Sequence, residues 1–377
     1  MSKTVKIVIW LVVIVIVIAI GASLSKKGSN PDTGTGPIKI GFIGPLTGDT
    51  AGIGENVRAA VEVARDEINA AGGVNKRQVE VIFEDGQCDP KAAANAGNKL
   101  VSVDKVVAII GGLCSSETLA VAPIAEQAKV PLISDASTNP KITDAGDYIF
   151  RFVPSDLFQG KFDAEYIMNT MKKSKVGILY CLSDWCTGIK DVFKQNFASS
   201  GTVVDEEGYQ QDARDLRSQI TKIKAAKPDV IYFLGYSEAS IVGLKQLQEL
   251  GVKTPIFGGD AWDDVKIAEG AGKAANGAMF SVTASSKYPQ SFIDAMTVKK
   301  ADKELNNYSG RGYDILKVLA DIIGRVGVDS TKIKDELYKV KDYQGIGDTY
   351  TLDAKGDLAT ANYSVKKFQD SKIVLVQ

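Results

Sequence analysis

Two stretches of this chain have the residue types and spacing for chemistry: Asp85-Gly86-Gln87-Cys88-Asp89-Pro90-Lys91 and Gly111-Gly112-Leu113-Cys114-Ser115-Ser116. Each follows an apolar run, Val79–Phe83 and then Val106–Ile110, and each leads into a pattern with helical spacing. Turns of this kind line the crevice at the carboxyl ends of parallel strands, where small ligands sit. Ser115 and Ser116 fall where a helix start exposes unpaired backbone N–H groups, a natural cradle for a carboxylate. Cys88 and Cys114, on neighbouring turns, could bridge and fix the rim of the crevice. This is the chemistry of holding a small anion.

Composition narrows the alternatives. The chain has no histidine, which removes the usual general base, the commonest metal ligand and every Ser-His or Cys-His nucleophile pair. No catalytic residue, metal or cofactor is expected, and the chain reads as a non-enzyme. The dinucleotide fingerprint is missing, because Gly52-Ile53-Gly54 runs on into Glu55-Asn56-Val57 without a third glycine, and no P-loop pattern occurs. Residues 1–27 hold four lysines and no acid, so the remainder has 41 basic against 46 acidic side chains, a net −5. An acidic body does not suit nucleic acid.

The elements that must position these residues alternate. Strands are expected at Ile38–Ile43, Val79–Phe83, Val106–Ile110 and from Pro131–Ser134, separated by helices Glu55–Ala71, Pro90–Val101 and Ser116–Ala128. After Phe150–Ser155 the pattern restarts. Helices Leu157–Met171, Gly188–Ser199, Leu216–Ala226 and Glu238–Leu250 alternate with strands Val176–Tyr180, Val203–Glu207, Val230–Leu234 and Pro255–Phe257. Such succession predicts an α/β protein of two doubly wound, Rossmann-like lobes with parallel sheets. A last helix, Gly312–Val326, and strands Thr349–Leu352, Tyr363–Gln369 and Lys372–Val376 are too few for a third domain and complete the two lobes.

The N-terminal segment Ile7–Ala22 is apolar and follows Lys3 and Lys6. As a helix its sixteen residues span about 24 Å, short of a hydrocarbon core of about 30 Å, and Ser23–Ser25 bring it close to spanning. Residues 1–27 are therefore expected to be an uncleaved membrane helix, with a cleaved signal as the alternative. Either exports the body. Residues 28–37 (GSNPDTGTGP) read as a flexible tether. In an oxidising compartment four cysteines favour disulfides, and of three pairings the local ones, Cys88–Cys114 and Cys181–Cys186, are expected, with free buried thiols as the alternative.

Several motifs in order carry a resemblance: Gly44-Pro45-Leu46-Thr47-Gly48, Glu84–Pro90, Leu113–Ser116, Ala136-Ser137-Thr138-Asn139-Pro140, Gly235-Tyr236, Gly259-Asp260 and Asp353–Leu358. From Ile38 to the C-terminus the chain resembles the type I periplasmic substrate-binding proteins of branched-chain amino acid ABC transporters, the leucine/isoleucine/valine-binding protein family. The resemblance implies lobes of residues 38–155 plus 284–352 and 156–283 plus 353–377, hinged by three crossovers near Ser155, Thr283 and Asp353. It places a ligand carboxylate on Ser115 and Thr138, and an ammonium on Ala136, Thr138 and Asp260 with Tyr236 nearby. Ile53, Leu113, Trp185 and Tyr308 would line the side-chain pocket. The residues independently describe a zwitterion: hydroxyls and helix-start N–H groups for a carboxylate, an acid at a strand end for an ammonium. The family's usual acid is glutamate, so Asp260 is one methylene shorter.

The implied function is capture of an α-amino acid, branched-chain or otherwise apolar, by a monomeric extracytoplasmic protein that serves ABC permease subunits in the membrane. The competing readings are a ligand-sensing ectodomain, and an amide, urea or aromatic acid in place of the amino acid. Asp260 could instead cap a helix over Val265–Ala268, Ser115 and Ser116 could be plain N-caps, and Trp185 could pack in a core.

Overall fold

Parallel strands covered on both faces must be apolar along their whole length, and Ile38–Gly44 (β1) shows this: six of its seven residues are buried. In the computed structural model, which describes residues 35–284, 287–299, 305–306 and 308–376, β1 is the hub of the first sheet. It pairs in parallel with Val79–Asp85 (β2) on one side and Ile109–Gly111 (β3) on the other. Leu132–Ser134 (β4) and Ile149–Arg151 (β5) extend the sheet in the order β2-β1-β3-β4-β5. The expected membrane helix 1–27 and residues 28–34 of the tether lie outside the described residues. Among those described, no helix is long and apolar enough to cross a membrane.

The second sheet repeats the plan. Lys175–Cys181 (β6) lies between Thr202–Tyr209 (β7) and Val230–Leu234 (β8), followed by Ile256–Gly258 (β9) and Met279–Thr283 (β10). A small hairpin, Tyr343–Gln344 (β11) with Thr349–Tyr350 (β12), stands apart from both sheets. Tyr363–Gln369 (β13) and Lys372–Leu375 (β14) then join the second sheet at β10. These two strands run antiparallel, an exception to the parallel sheet expected. β13 enters the sheet from the third pass between the sheets and not from a βαβ crossover, and Asp370 and Ser371, at φ 51° and 59°, make the two-residue reverse turn that sets β14 antiparallel to β13.

Smaller departures concern the ends of elements. The helix from Pro90 ends as α-helix at Lys99 and that from Asp156 at Glu165; each adds one wide turn, Leu100–Asp104 and Tyr166–Thr170. The strand expected at Val106–Ile110 is assigned to Ile109–Gly111, although a Val107 N–H to Lys39 carbonyl bond of 3.0 Å already aligns it with β1. The strand expected at Thr349–Leu352 is shorter, and its partner β11 was not foreseen.

The chain passes between the sheets three times: from β5 into the helix Asp156–Glu165, from β10 to the helices Gln290–Val298 and Ser309–Val326, and from β12 to β13. Ser309–Val326 belongs against the first sheet's helix Ala51–Ala70. Gly312 permits that approach, since a Cβ there would lie 2.7 Å from Val57 Cγ1 and 3.2 Å from the Val57 carbonyl oxygen. Arg151, fully buried at the end of β5, ties the first and third passes together. Its guanidinium forks onto Asp357 (Nε to Oδ1 2.7 Å, Nη2 to Oδ2 2.6 Å) and donates through Nη1 to the carbonyls of Thr138 and Asn139 at 3.1 and 3.0 Å. A buried fork of this kind fixes geometry because neither partner can be left alone without a large penalty.

Candidate ligand site between the lobes

In each sheet the strand order reverses at one place, beside β1 in the first and beside β6 in the second. Loops leaving neighbouring strands there diverge to opposite faces and leave a crevice at the carboxyl ends. The two crevices face each other. Between them lies a cavity of about 30 Å³ lined by Ile53, Leu113, Ser115, Ala136, Trp185, Tyr236, Asp260, Ala261 and Tyr308. The structure thus brings together eight of the nine side chains named from the sequence. Thr138 does not reach the wall: it is buried just behind, its carbonyl accepting from Asp156 N–H at 2.8 Å as well as from Arg151.

The first-sheet side supplies the hydroxyl end. Cys114 is the N-cap of the helix Ser115–Ala128, so Ser115 and Ser116 sit in its first turn and neither is the cap residue. Ser115 Oγ accepts from Asn139 N–H at 3.2 Å. Beneath them Glu117, fully buried, accepts from the N–H groups of Cys114 (2.9 Å) and Cys88 (3.0 Å). The two disulfide-forming residues are thereby held by one carboxyl group. Burial pushes Glu117 up to about 7, against the pull of those backbone donors. The spacing Cys114-x-x-Glu117 is that of a capping box and was readable as such.

The second-sheet side supplies the acid and the aromatic wall. Asp260 opens a short turn, Asp260–Trp262, and is buried. The cap of the helix Val265–Ala271 is Asp264, whose side chain accepts from Lys266 N–H at 2.9 Å, so Asp260 is not that cap. Tyr308 Oη donates to Asp260 Oδ2 at 2.6 Å. In the orientation of the Gln159 amide that satisfies all its neighbours, Nε2 donates to Asp260 Oδ1 at 3.3 Å while Oε1 accepts from Asp260 N–H at 3.0 Å and Ser281 Oγ at 2.8 Å. A carboxylate has about four acceptor sites, so two such donors leave room for an ammonium. Burial raises the Asp260 pKa, opposed by the Tyr308 hydrogen bond and by the positive charge of Arg311. Asp156 is raised well above its usual range by burial and by Asp260. Gln159 was missed in the sequence; it lies on the helix after the first pass and meets Asp260 only through the fold.

Trp185 and Tyr236 pack at a tilt of 41° with ring centroids 5.0 Å apart and form one continuous apolar wall. Trp185 is buried in the hydrophobic core of the second lobe and at the same time lines the cavity. Both expected disulfides are present: Cys88–Cys114 with Cα atoms 5.3 Å apart and Cys181–Cys186 at 5.5 Å. Several contacts join the two halves around the cavity. They include Tyr308 to Asp260, the Asn139 side-chain amide to the Asp184 carbonyl, and Arg214 Nη2 to both Asp49 oxygens at 2.7 and 2.6 Å. Outside them an open groove of about 830 Å³ leads to solvent.

The family model described as periplasmic binding protein matches residues 37–372, nearly the whole described chain. The chain belongs to the periplasmic binding protein family. Among its relatives is the leucine-, isoleucine-, valine-, threonine-, and alanine-binding protein of Pseudomonas aeruginosa, 30% identical over 334 residues that cover 87% of this chain and 89% of that one. Two solved structures share the fold closely. The leucine binding protein LivK of Thermotoga maritima has a TM-score of 0.84 at 28% identity, covering 90% of this chain and 98% of that one. The branched-chain amino acid transporter substrate binding protein LivJ of Streptococcus pneumoniae, in complex with isoleucine, has 0.81 at 29%, covering 90% and 99%. A periplasmic binding protein works outside the cytoplasm, and the two disulfides of this one suit an oxidising compartment.

Proposed function

We propose that this binding protein is the substrate-binding component of an ABC importer and captures an α-amino acid with an apolar side chain, branched-chain in the first instance. The observation that carries this reading is the cavity itself, with a hydroxyl and helix-start N–H groups at one end, a buried carboxyl at the other and an apolar wall between. Ser115, with the backbone of the neighbouring loop, would take the carboxylate. Asp260, oriented by Tyr308 and Gln159, would take the ammonium. Ile53, Leu113, Trp185 and Tyr236 would enclose the side chain, where exclusion of water strengthens every polar contact.

Closure follows from where these groups sit. Ser115 and Asp260 lie on opposite lobes, so a zwitterion satisfies both only when the lobes meet, and differential affinity for the closed state shifts the equilibrium toward it. Permease subunits would then receive the closed, loaded protein. The N-terminal segment Ile7–Ala22 would hold the body at the membrane, or export it if cleaved; the N-terminal sequence of the mature protein distinguishes these. Calorimetry of residues 37–377 against L-leucine, L-isoleucine, L-valine and a set of amides and aromatic acids tests the ligand class. We expect binding of at least one branched-chain amino acid. Heat only with an uncharged amide or an acid lacking the amine rejects the reading.

A further inference from the structure

The cavity wall contributed by the second lobe hangs on a very short covalent span. Cys181 is the last residue of β6 and Cys186 the third residue of the helix Asp184–Phe197, and their disulfide closes the turn between them. Both cysteines are fully buried. The residues of that turn face the cleft: Leu182, Ser183 and Asp184 line the outer groove and Trp185 the cavity. Ser183 Oγ accepts from Cys186 N–H at 3.2 Å and so caps the helix. The Asp184 carbonyl accepts from Asn139 of the opposite lobe. Trp185 forms the cavity wall against Tyr236. Gly188, one turn on, lets the opposite lobe approach, since a Cβ there would sit 2.5 Å from Asn139 Nδ2 and 3.2 Å from Pro140 Cδ.

We infer that the Cys181–Cys186 disulfide is a positioning element of the ligand pocket, setting Trp185 as its aromatic wall and the Asp184 carbonyl as an acceptor across the cleft. This rests on reading the cavity as an amino-acid site. A sequence separation of only 5 removes less freedom from the unfolded chain than the separation of 26 between Cys88 and Cys114. Its larger consequence is in the folded state. First turns of helices are where fraying concentrates, and Trp185 sits in one. With Cys186 bound to the end of an interior strand, the indole cannot swing out without breaking a covalent bond or the ladder of β6 with β7 and β8. A ligand that reaches the wall then meets a surface already in place, and less ordering opposes its binding.

The test compares the full chain with Cys181→Ser/Cys186→Ser, and with the space-filling Cys181→Ala/Cys186→Val. Each is titrated with L-leucine, L-isoleucine and L-alanine, and hydrogen exchange is followed at residues 182–187 without any amino acid. We expect the variants to bind L-leucine and L-isoleucine at least tenfold more weakly and L-alanine less than threefold more weakly, because only the longer side chains reach the indole. Exchange at 182–187 should quicken while the rest of the second sheet keeps its protection. Equal losses for all three amino acids, or none, overturn the inference, as does failure of both variants to fold, which would make the bridge a folding staple. If the parent chain binds none of the three, the amino-acid reading fails on its own. The exchange comparison then still decides: unchanged protection at 182–187 overturns the positioning role, and loss confined there upholds it.

Discussion

Asp260 is the residue on which recognition turns, and its surroundings make the test clean. Its carboxyl receives Tyr308 and Gln159 and retains acceptor capacity toward the cavity. Asp260→Asn keeps the size and one oxygen but removes the charge. Breaking a buried ion pair on one side costs roughly 3–5 kcal/mol, so affinity for an α-amino acid should fall by at least about a hundredfold. The unliganded melting temperature should stay level or rise slightly, since burial disfavours the aspartate charge when no ammonium faces it. Unchanged affinity in titrations of the variant rejects the ammonium role. At this scale a residue's place is legible where its own turn defines it: Ser115, Ala136, Trp185, Tyr236 and Asp260 each follow a strand, and each lines the cavity. It is not legible where a role depends on a distant partner. Gln159 and Arg151 carry no local pattern, and only the passes between lobes bring them to Asp260 and Asp357.

Within the second lobe, the helix Asp156–Glu165 meets β8 through a buried acid. Tyr232 Oη donates to Asp163 Oδ2 at 2.6 Å, and burial lifts Asp163 to about 8. An acid whose folded pKa lies above its unfolded value of about 3.9 makes the native state bind more protons. Its contribution is therefore most favourable below about pH 4 and is lost as pH rises toward about 8. Asp163→Asn can still accept from Tyr232 but does not titrate. Urea unfolding of the unliganded protein should show the variant gaining on the parent between pH 5 and pH 8. A parent-to-variant difference that stays constant over that range would mean Asp163 ionises normally. Strands and helices themselves were legible because burial on both faces leaves continuous apolar runs such as Val230–Leu234. The hairpin β11–β12 is only partly legible, since each of its strands, Tyr343–Gln344 and Thr349–Tyr350, is two residues long. So short a strand has no alternation to read.

At the scale of the whole molecule, two sheets whose strand orders reverse opposite one another set the cavity where both crevices open, and the βαβ succession in the sequence already implied both sheets. What succession alone could not convey is how the lobes hold each other. The contact of Arg214 with Asp49 at the open groove joins two half-exposed side chains, and exposed pairs of that kind contribute only about 0–1 kcal/mol. Closure therefore depends on what lies inside. The groove beyond has its own consequence, for molecules that have not yet arrived. Its walls carry Asp49, Asp89, Asp184, Asp191 and Asp212 against Lys141 and Arg214, and this excess of acid gives the approach a negative field. A zwitterion has no net charge for that field to pull, but its dipole turns, and the amine leads toward Asp260. A 2-oxo acid of the same shape, a bare anion, is turned away at the entrance. Stopped-flow encounter rates should thus be nearly independent of salt for L-isoleucine and rise with salt for its 2-oxo analogue, so that discrimination begins in the approach, before any contact is made.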